Sequence, residues 1–456
     1  MLSLRTRRVV YIIFILLFLA TAPILVLYTA GYRYNFKKGE VQKTGSISIK
    51  AFPYDSEIYF ENVNQTGYRP DNTVRIVNLK PGEHEIKINK DGYYPWQKKV
   101  EIYSGTNTFV DKVILFKQNL PEQVINNKIS LSQLAPDQGK IAYVATGQTS
   151  DQIYIFNYQN LQTTLVNQTN LKINAVDWSE NSAQLLLTTE SDDYLIYDLT
   201  KSKEPSDITT ITNVSMDKVF WDKTNNYTLY GLSGRAIYQI NTLTKEYRII
   251  HYFPSDTEDT NISDFIAENK NLFYIQTTAD GSYLNKIDLD QPKKPAARIL
   301  KLARADNYQF YYNKNLTITI LDTTKQKMYL IAPHFESIIL EAEAKNFNWD
   351  SKDKKLVYYN DFELYIYDLD TKNNKLITRF GQIIKRAYLI PKIEYIAFLV
   401  DNSLQIAELD ERGKRNIIDL TKNEKVDDFY LDQSGENIYF PGQIGQSSGL
   451  YKINIQ

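Results

Sequence analysis

Apolar residues form one unbroken run near the start of the chain. Val9–Ala30 contains no charged residue over 22 positions, and a helix rising about 1.5 Å per residue would cross a hydrocarbon core of roughly 30 Å over that length. Arg5, Arg7 and Arg8 precede the run, so the positive-inside rule keeps residues 1–8 in the cytoplasm. The pattern predicts a transmembrane helix over residues 9–30 and a single-pass cell-membrane protein whose bulk is extracytoplasmic.

A cleaved signal peptide is the alternative for this run. Val9–Leu19 would be its apolar region, and Ala20-Thr21-Ala22 would be a small-residue cleavage site. Pro23 would directly follow the scissile bond, where proline is poorly tolerated, and the apolar residues resume at Ile24. Retention as a membrane anchor is therefore the favoured interpretation.

Short alternating runs of apolar and polar residues follow, broken by turn residues, which predicts the strands of a small β-sandwich over residues 45–116. The runs are Ser46–Ile49, Glu57–Phe60, His84–Ile88, Lys99–Ile102 and Lys112–Leu115. Between two of them, Pro81 presets φ for the first central position of a turn and Gly82 accepts a positive φ at the second. A hairpin is predicted there.

The same segment resembles a PEGA domain. Pro81, Gly82, Glu83 and His84 match the motif after which that family is named, with histidine in place of the final alanine. Gly92 and Tyr93 match the family's later Gly-Tyr pair. The resemblance implies a compact β-domain of a microbial envelope or surface protein, with an adhesive or spacer role and without catalysis. The Glu61-Asn62 pair stands where the family commonly has an Asp-Gly turn.

From residue 122 to residue 456 one pattern recurs, in which an aromatic strand ends in Asp or Asn. The closing residues are Asn157, Asp198, Asn241, Asp288, Asp322, Asp368, Asp410 and Asn454. Their mean spacing of about 42 residues is typical of four-stranded propeller blades. The repeats predict a β-propeller of eight blades, and seven blades with an irregular insertion at Tyr308–Asp322 is the alternative.

The repeat region resembles the WD40-like and TolB-like propellers of envelope proteins. Its last run, Leu450–Ile455, corresponds to a third strand and leaves no residues for a fourth. We therefore expect Glu122–Asn126 to pair as the outer strand of the last blade and to close the ring. Trp178, Trp221 and Trp349 stand at equivalent repeat positions, which favours inter-blade packing. Trp96, in the smaller domain, is the tryptophan expected at the surface.

Composition supports a mostly β protein and excludes several functions. Tyrosine is abundant at 35 residues, which suits strands. The net charge of −1 offers no basic excess for binding nucleic acid. The absence of cysteine removes thiolate catalysis and thiolate metal sites. His84, His251 and His334 lie far apart in sequence outside any catalytic motif, so we predict no catalytic residue, no metal site and no cofactor.

Aligning the repeats places acidic residues in the loops between second and third strands of five units. These candidate binding residues are Asp151, Glu190, Asp192, Asp193, Asp280, Asp361 and Asp401. Arg235 and Lys314 oppose them in neighbouring loops. Aspartate is ordinary in hairpin turns, but its recurrence around one rim would attract a basic partner or cations.

The sequence therefore predicts a membrane-anchored scaffold or binding protein of the cell envelope that contacts a protein or a glycan. The first alternative is an envelope polysaccharide hydrolase or lyase, which needs two carboxylates converging at a mouth of the propeller channel. The second is an accessory gate for a peptidase whose catalytic domain is a separate chain.

Overall fold

The computed structural model describes residues 4–35, 39–66, 70–147, 150–201, 204–253, 261–268, 270–291, 294–305, 307–312, 317–332, 337–350, 352, 354–422 and 424–456. The chain forms two compact units. Unit 1 consists of Met1–Asn119 together with Ala407–Ile418 and Ile455–Gln456. Unit 2 consists of Leu120–Ile406 and Asp419–Asn454.

The first element of unit 1 is a long apolar helix, α1 (Leu4–Thr29). Its segment Thr6–Thr29 is long and apolar enough to cross a membrane, a property that membrane anchors share with signal sequences. The helix continues through Ala20-Thr21-Ala22, where the Thr21 hydroxyl donates to the Leu17 carbonyl at 2.8 Å. It ends at Thr29, and Gly31 follows with a φ of +86°, which suits a residue without a Cβ atom.

A hairpin and a β-sandwich complete the first part of unit 1. The hairpin consists of β1 (Tyr32–Asn35) and β2 (Glu40–Lys43). One sandwich sheet has the order β6-β3-β9, from β3 (Gly45–Phe52), β6 (Val74–Leu79) and β9 (Asn107–Ile114). The other has the order β5-β4-β7-β8, from β4 (Glu57–Phe60), β5 (Val63–Asn64), β7 (Gly82–Asn89) and β8 (Trp96–Ile102). The predicted sandwich is confirmed.

Two expectations about this sandwich are wrong. The turn at Pro81 and Gly82 is not a hairpin, because it joins β6 to β7 and these strands belong to different sheets. Trp96 is not at the surface: it is only 3% exposed and lies in the core that includes Ile58 and Ile86. The Glu61-Asn62 pair forms the turn between β4 and β5, with both residues at positive φ.

The described part of the chain after Leu120 contains eight antiparallel sheets, which are numbered here as blades in chain order. Blade 1 has β11 (Ile129–Leu134), β12 (Lys140–Thr146), β13 (Asp151–Asn157) and β14 (Gln162–Thr169). Blade 2 has β15 (Ile173–Trp178), β16 (Gln184–Thr189), β17 (Tyr194–Asp198) and β18 (Ser206–Asp207), followed by the short helix α2 (Ile208–Thr212). Blade 3 has β19 (Lys218–Trp221), β20 (Thr228–Ser233), β21 (Ala236–Asn241) and β22 (Glu246–Tyr252). Blade 4 has β23 (Asn261–Glu268), β24 (Asn271–Thr278), β25 (Gly281–Asp288) and β26 (Ala297–Leu302).

The remaining blades repeat this order. Blade 5 has β27 (Tyr308–Tyr312), β28 (Ile318–Asp322), β29 (Lys327–Ile331) and β30 (Ile338–Glu343). Blade 6 has β31 (Asn346–Trp349), β32 (Lys355–Tyr359), β33 (Glu363–Asp368) and β34 (Asn373–Arg379). Blade 7 has β35 (Ile384–Leu389), β36 (Tyr395–Val400), β37 (Ser403–Glu408) and β38 (Ile417–Asp419). Blade 8 has β39 (Lys425–Val426), β40 (Tyr430–Leu431), β41 (Asn437–Ile444), β42 (Ser447–Asn454) and the earlier strand β10 (Glu122–Ile125).

Strand β10 closes the ring as predicted. It pairs antiparallel with β42, with Glu122 opposite Lys452 and Ile125 opposite Leu450. Gly449 permits this pairing, because a Cβ atom there would lie 1.9 Å from the Ile125 carbonyl oxygen. Eight blades are therefore confirmed, and the last is assembled from both ends of unit 2.

The sequence pattern misassigned one position in blade 5. Asp322 ends the second strand, β28, whereas the corresponding residue in the other blades ends the third strand or, for Asp410, lies just after it. The third strand of this blade is β29, which ends at Ile331. The loop between the second and third strands of blade 5 is therefore the hairpin between β28 and β29, and not the loop predicted to contain Lys314. Lys314 lies outside the described part of the chain.

The repeated tryptophans pack between blades, as their spacing predicts. Trp178, Trp221 and Trp349 are the last residues of first strands in blades 2, 3 and 6. The Trp178 indole donates to the carbonyl of Gln133 in blade 1 at 3.1 Å, and Trp349 donates to the hydroxyl of Thr319 in blade 5 at 3.3 Å. These side chains therefore join neighbouring blades.

Candidate interaction rim

We define the rim as the hairpins that join the second and third strands of the eight blades. The predicted acidic residues lie on or beside these hairpins in blades 1, 2, 4, 6 and 7. Several hairpins turn through a left-handed residue, including Asp192 at a φ of +61° and Asp401 at +49°. Aspartate tolerates this conformation better than most residues, so turn geometry accounts for part of the pattern.

Asp151 does not face solvent. Its side chain is 2% exposed, and its two carboxylate oxygens accept from the Lys172 ammonium at 2.9 Å and from the Ile173 backbone N–H at 3.0 Å. Lys172 and Ile173 lie at the start of blade 2. Asp151 therefore links two blades and has no free carboxylate oxygen to offer a partner.

Asp280 and Asp361 have cationic neighbours but lie nearer the surface. Asp361 accepts from Lys345 at 2.7 Å, and Asp280 lies 3.9 Å from Lys301. Hydrogen bonds from the hydroxyls of Thr278 and Tyr283 lower the pKa of Asp280 to about 2. Asp280 therefore remains ionised over the physiological pH range.

The hairpin of blade 2 carries the densest acidic charge on the rim. Glu190 and Asp192 are exposed and Asp193 is half-buried. In the described part of the chain, no ion pair involves these three side chains. Asp401 in blade 7 is half-buried, and its carboxylate accepts from the backbone N–H of Ile383 at 3.3 Å. The rim charge is therefore concentrated on blade 2 rather than spread evenly around the ring.

Sequence reasoning missed the cations that neutralise the other rim acids. Lys172, Lys301 and Lys345 come from the fourth strands or from the links that follow them. Lys172 and Lys301 each stand 21 positions after their acid, so a comparison of lysines between repeats would have revealed this recurrence.

A depression of about 480 Å³ lies where the rim hairpins of blades 5 and 6 meet, and we call it the rim pocket. Its lining residues are Lys325, Gln326, Glu343, Asn360, Asp361, Phe362, Glu363, Arg379 and Phe380. Phe362 is 50% exposed at the tip of its hairpin. Hydrogen bonds from Tyr365 and from Arg379 lower the pKa of Glu363. The pocket thus combines an uncovered aromatic ring with fixed charges of both signs.

The motif residues of the sandwich have structural partners. His84 stacks on Phe60 with 5.2 Å between ring centroids, and its Nε2 lies 2.8 Å from the Lys80 carbonyl oxygen. Glu83 pairs with Lys99 at 3.2 Å on the surface. Gly92 adopts a φ of +78°, and Tyr93 packs against the sandwich core. These contacts hold turns and strand ends in place.

The histidines that the structure describes lie in different units. His84 is in unit 1, whereas His251 lies on β22 in unit 2, where it packs against Phe253 and Tyr274. Burial lowers the pKa of His251. His334 lies outside the described residues. Among the described residues, no group of three or more His, Asp or Glu side chains could hold a metal ion.

Residues 44–116 match the PEGA domain family model, and this segment is called the PEGA domain below. No curated protein matches the chain.

Solved structures resemble the propeller of this chain. The C-terminal WD40 domain of Sif2 is 10% identical and has a TM-score of 0.51, covering 74% of this chain and 99% of that one. The Dos1 propeller is 12% identical with a TM-score of 0.50, covering 74% of this chain and 95% of that one. At such low identity these similarities establish the propeller fold alone.

Proposed function

We propose that this protein is a membrane-anchored scaffold of the cell envelope that binds a protein or glycan through its propeller rim and its PEGA domain. The observation that supports this most directly is the rim pocket, where Phe362 is half exposed beside the Arg379–Glu363 ion pair. Exposed aromatic rings flanked by polar groups are typical of recognition surfaces. Loops held on a rigid scaffold are where binding residues concentrate.

The polysaccharide hydrolase or lyase remains the competing proposal, and the electrostatics of the rim pocket favour binding over it. A general acid needs a raised pKa, whereas Glu363 has a lowered one. Asp177 and Asp264, on first strands of blades 2 and 4, do have pKa values raised by burial. Asp264, however, uses both carboxylate oxygens to bind Lys218 and the Phe310 backbone N–H.

Membrane topology can be tested with single cysteines, because the chain has none of its own. A Glu83→Cys variant should react with a membrane-impermeant maleimide in intact cells, since that side chain is 58% exposed. A Thr6→Cys variant should react only after permeabilisation. The reverse labelling pattern would refute the extracytoplasmic location of the PEGA domain.

Binding of a basic partner through blade 2 can be tested with a fluorescent decalysine peptide. The combined Glu190→Gln, Asp192→Asn and Asp193→Asn variant should bind it roughly threefold to a hundredfold more weakly at low salt, because each of the three charges removed near the surface contributes about 0.2–1 kcal/mol. The difference should shrink at higher ionic strength. Fluorescence anisotropy of the purified full chain measures both effects.

The matched control for that experiment is Asp370→Asn, since Lys354 already engages the Asp370 carboxylate at 2.7 Å and this residue lies outside the rim hairpins. Equal affinity of the triple variant and the unmodified chain would remove blade 2 as the basic-partner surface. The next candidate binding surface would then be the PEGA domain, where exposed Val77 and Phe109 line a depression of about 520 Å³.

A further inference from the structure

The hairpin formed by β1 and β2 is tied to the end of the apolar helix. Gly31 lies just after the end of α1, and its carbonyl oxygen accepts from both the backbone N–H and the hydroxyl of Thr44, each at 2.9 Å. These hydrogen bonds therefore join the residue before the hairpin to the residue after it. Its strands pair with each other alone, so no third strand covers them in the described part of the chain.

Arg33 fixes the orientation of the hairpin relative to the helix. Its Nη1 donates to the carbonyl oxygens of Tyr28 at 2.6 Å and Tyr32 at 2.9 Å. Its guanidinium lies 3.7 Å above the Tyr28 ring. A cation at a helix C-terminus satisfies the last carbonyls and complements the helix dipole. The junction is thus held by several directional contacts.

One face of the hairpin carries exposed apolar side chains. Tyr34 and Val41 are direct cross-strand partners and are 52% and 55% exposed. Tyr32 and Lys43 are opposite each other on the same face, and the Lys43 ammonium lies 5.9 Å from the Tyr32 ring centroid. An isolated two-stranded hairpin is at best marginally stable in water, so this face needs a surface to pack against.

We propose that this face of the hairpin lies in the headgroup region of the extracytoplasmic leaflet, which makes the hairpin a second membrane contact beside α1. Only Ala30 and Gly31 separate the helix from β1, so the lipid surface is the nearest available partner. Tyrosine at the level of the headgroups and lysine reaching into them are favoured at membrane interfaces. This inference rests on the proposed anchoring by α1.

Single nitroxide labels on the full chain in phosphatidylcholine vesicles test the proposal. Labels at Tyr34→Cys and Val41→Cys should show higher accessibility to oxygen and lower accessibility to a water-soluble nickel chelate than a label at Val63→Cys. Val63 is a matched control, because it is 59% exposed on β5 of the PEGA domain. A label at Phe18→Cys, within α1, reports the hydrocarbon core.

The outcomes separate the two proposals. Intermediate depth at positions 34 and 41, between those of 18 and 63, supports the interfacial hairpin. A deep label at 18 with labels at 34 and 41 that match 63 overturns the hairpin proposal and leaves the anchor intact. A shallow label at 18 overturns the anchor, and the hairpin proposal with it.

Discussion

Replacing Lys98 by methionine should destabilise unit 1 by about 3–5 kcal/mol, because it leaves a buried carboxylate without its cation. The Lys98 ammonium lies 2.6 Å from Glu408 Oε1, and the two side chains are 0% and 4% exposed. Lys98 also donates to the Asp410 carbonyl at 3.0 Å. Urea unfolding of the detergent-solubilised chain, with hydrogen exchange read from β7 and β8, would measure the loss in unit 1.

Two further variants make this expectation specific. Lys99→Met removes a neighbouring lysine that is 62% exposed and pairs with Glu83, so its cost should stay within about 1 kcal/mol. Adding Glu408→Gln to Lys98→Met should recover part of the loss, because the remaining buried group is then neutral. Equal destabilisation by Lys98→Met and Lys99→Met would contradict a dominant role for the buried pair.

Replacing Gly449 by valine should disrupt the pairing of β10 with β42, which we call the seam of the propeller. The new Cβ atom would lie 1.9 Å from the Ile125 carbonyl oxygen and 2.8 Å from the side-chain Nε2 of Gln123. Backbone cannot move aside without breaking the pairing of β10 with β42, so we expect a cost of about 3 kcal/mol, at the upper end of overpacking. The amides of β10 should lose hydrogen-exchange protection while those of blade 3 keep theirs.

Gly381→Val is the matched control, because a Cβ atom at Gly381 would meet nothing within 4 Å. Deleting Glu122–Asn126 should reproduce the effect of Gly449→Val, since both remove the outer strand of blade 8. Unchanged protection of β10 in the Gly449→Val variant would show that the seam tolerates the side chain.

Local periodicity revealed most strands of this protein, but it could not reveal which strands share a sheet. The runs at β3, β4, β7 and β8 alternate clearly, yet the turn at Pro81 crosses between sheets. Blade 5 was misread for a related reason. Its third strand ends at Ile331 rather than at an Asp or Asn, so the nearest aspartate, Asp322, was taken as its marker.

Trp96 shows why burial needs the complete fold. The buried face of β8 consists of Trp96, Lys98, Val100 and Ile102. Because one of these residues is a lysine, the sequence does not show the regular apolar alternation that would identify the buried face. The Trp96 indole donates at 2.8 Å to Glu408, which is 312 residues away in sequence. The same limit applies to the rim, where the acids were visible in the repeats but their lysine partners were assigned only from the structure.

The seam between β10 and β42 also sets the order of events during synthesis. Each of blades 1–7 is built from one continuous stretch of chain and can form as soon as that stretch is available. Blade 8 can form only after nearly all of the propeller has been synthesised, because Gln123 contacts Ser448, which lies 325 residues further along the chain. Until Ser447–Asn454 has been made, β10 remains an unpaired strand that other chains could pair with. A product truncated before β42 would therefore keep β10 unpaired, which distinguishes it from the finished ring for any protease or chaperone that recognises unpaired strands.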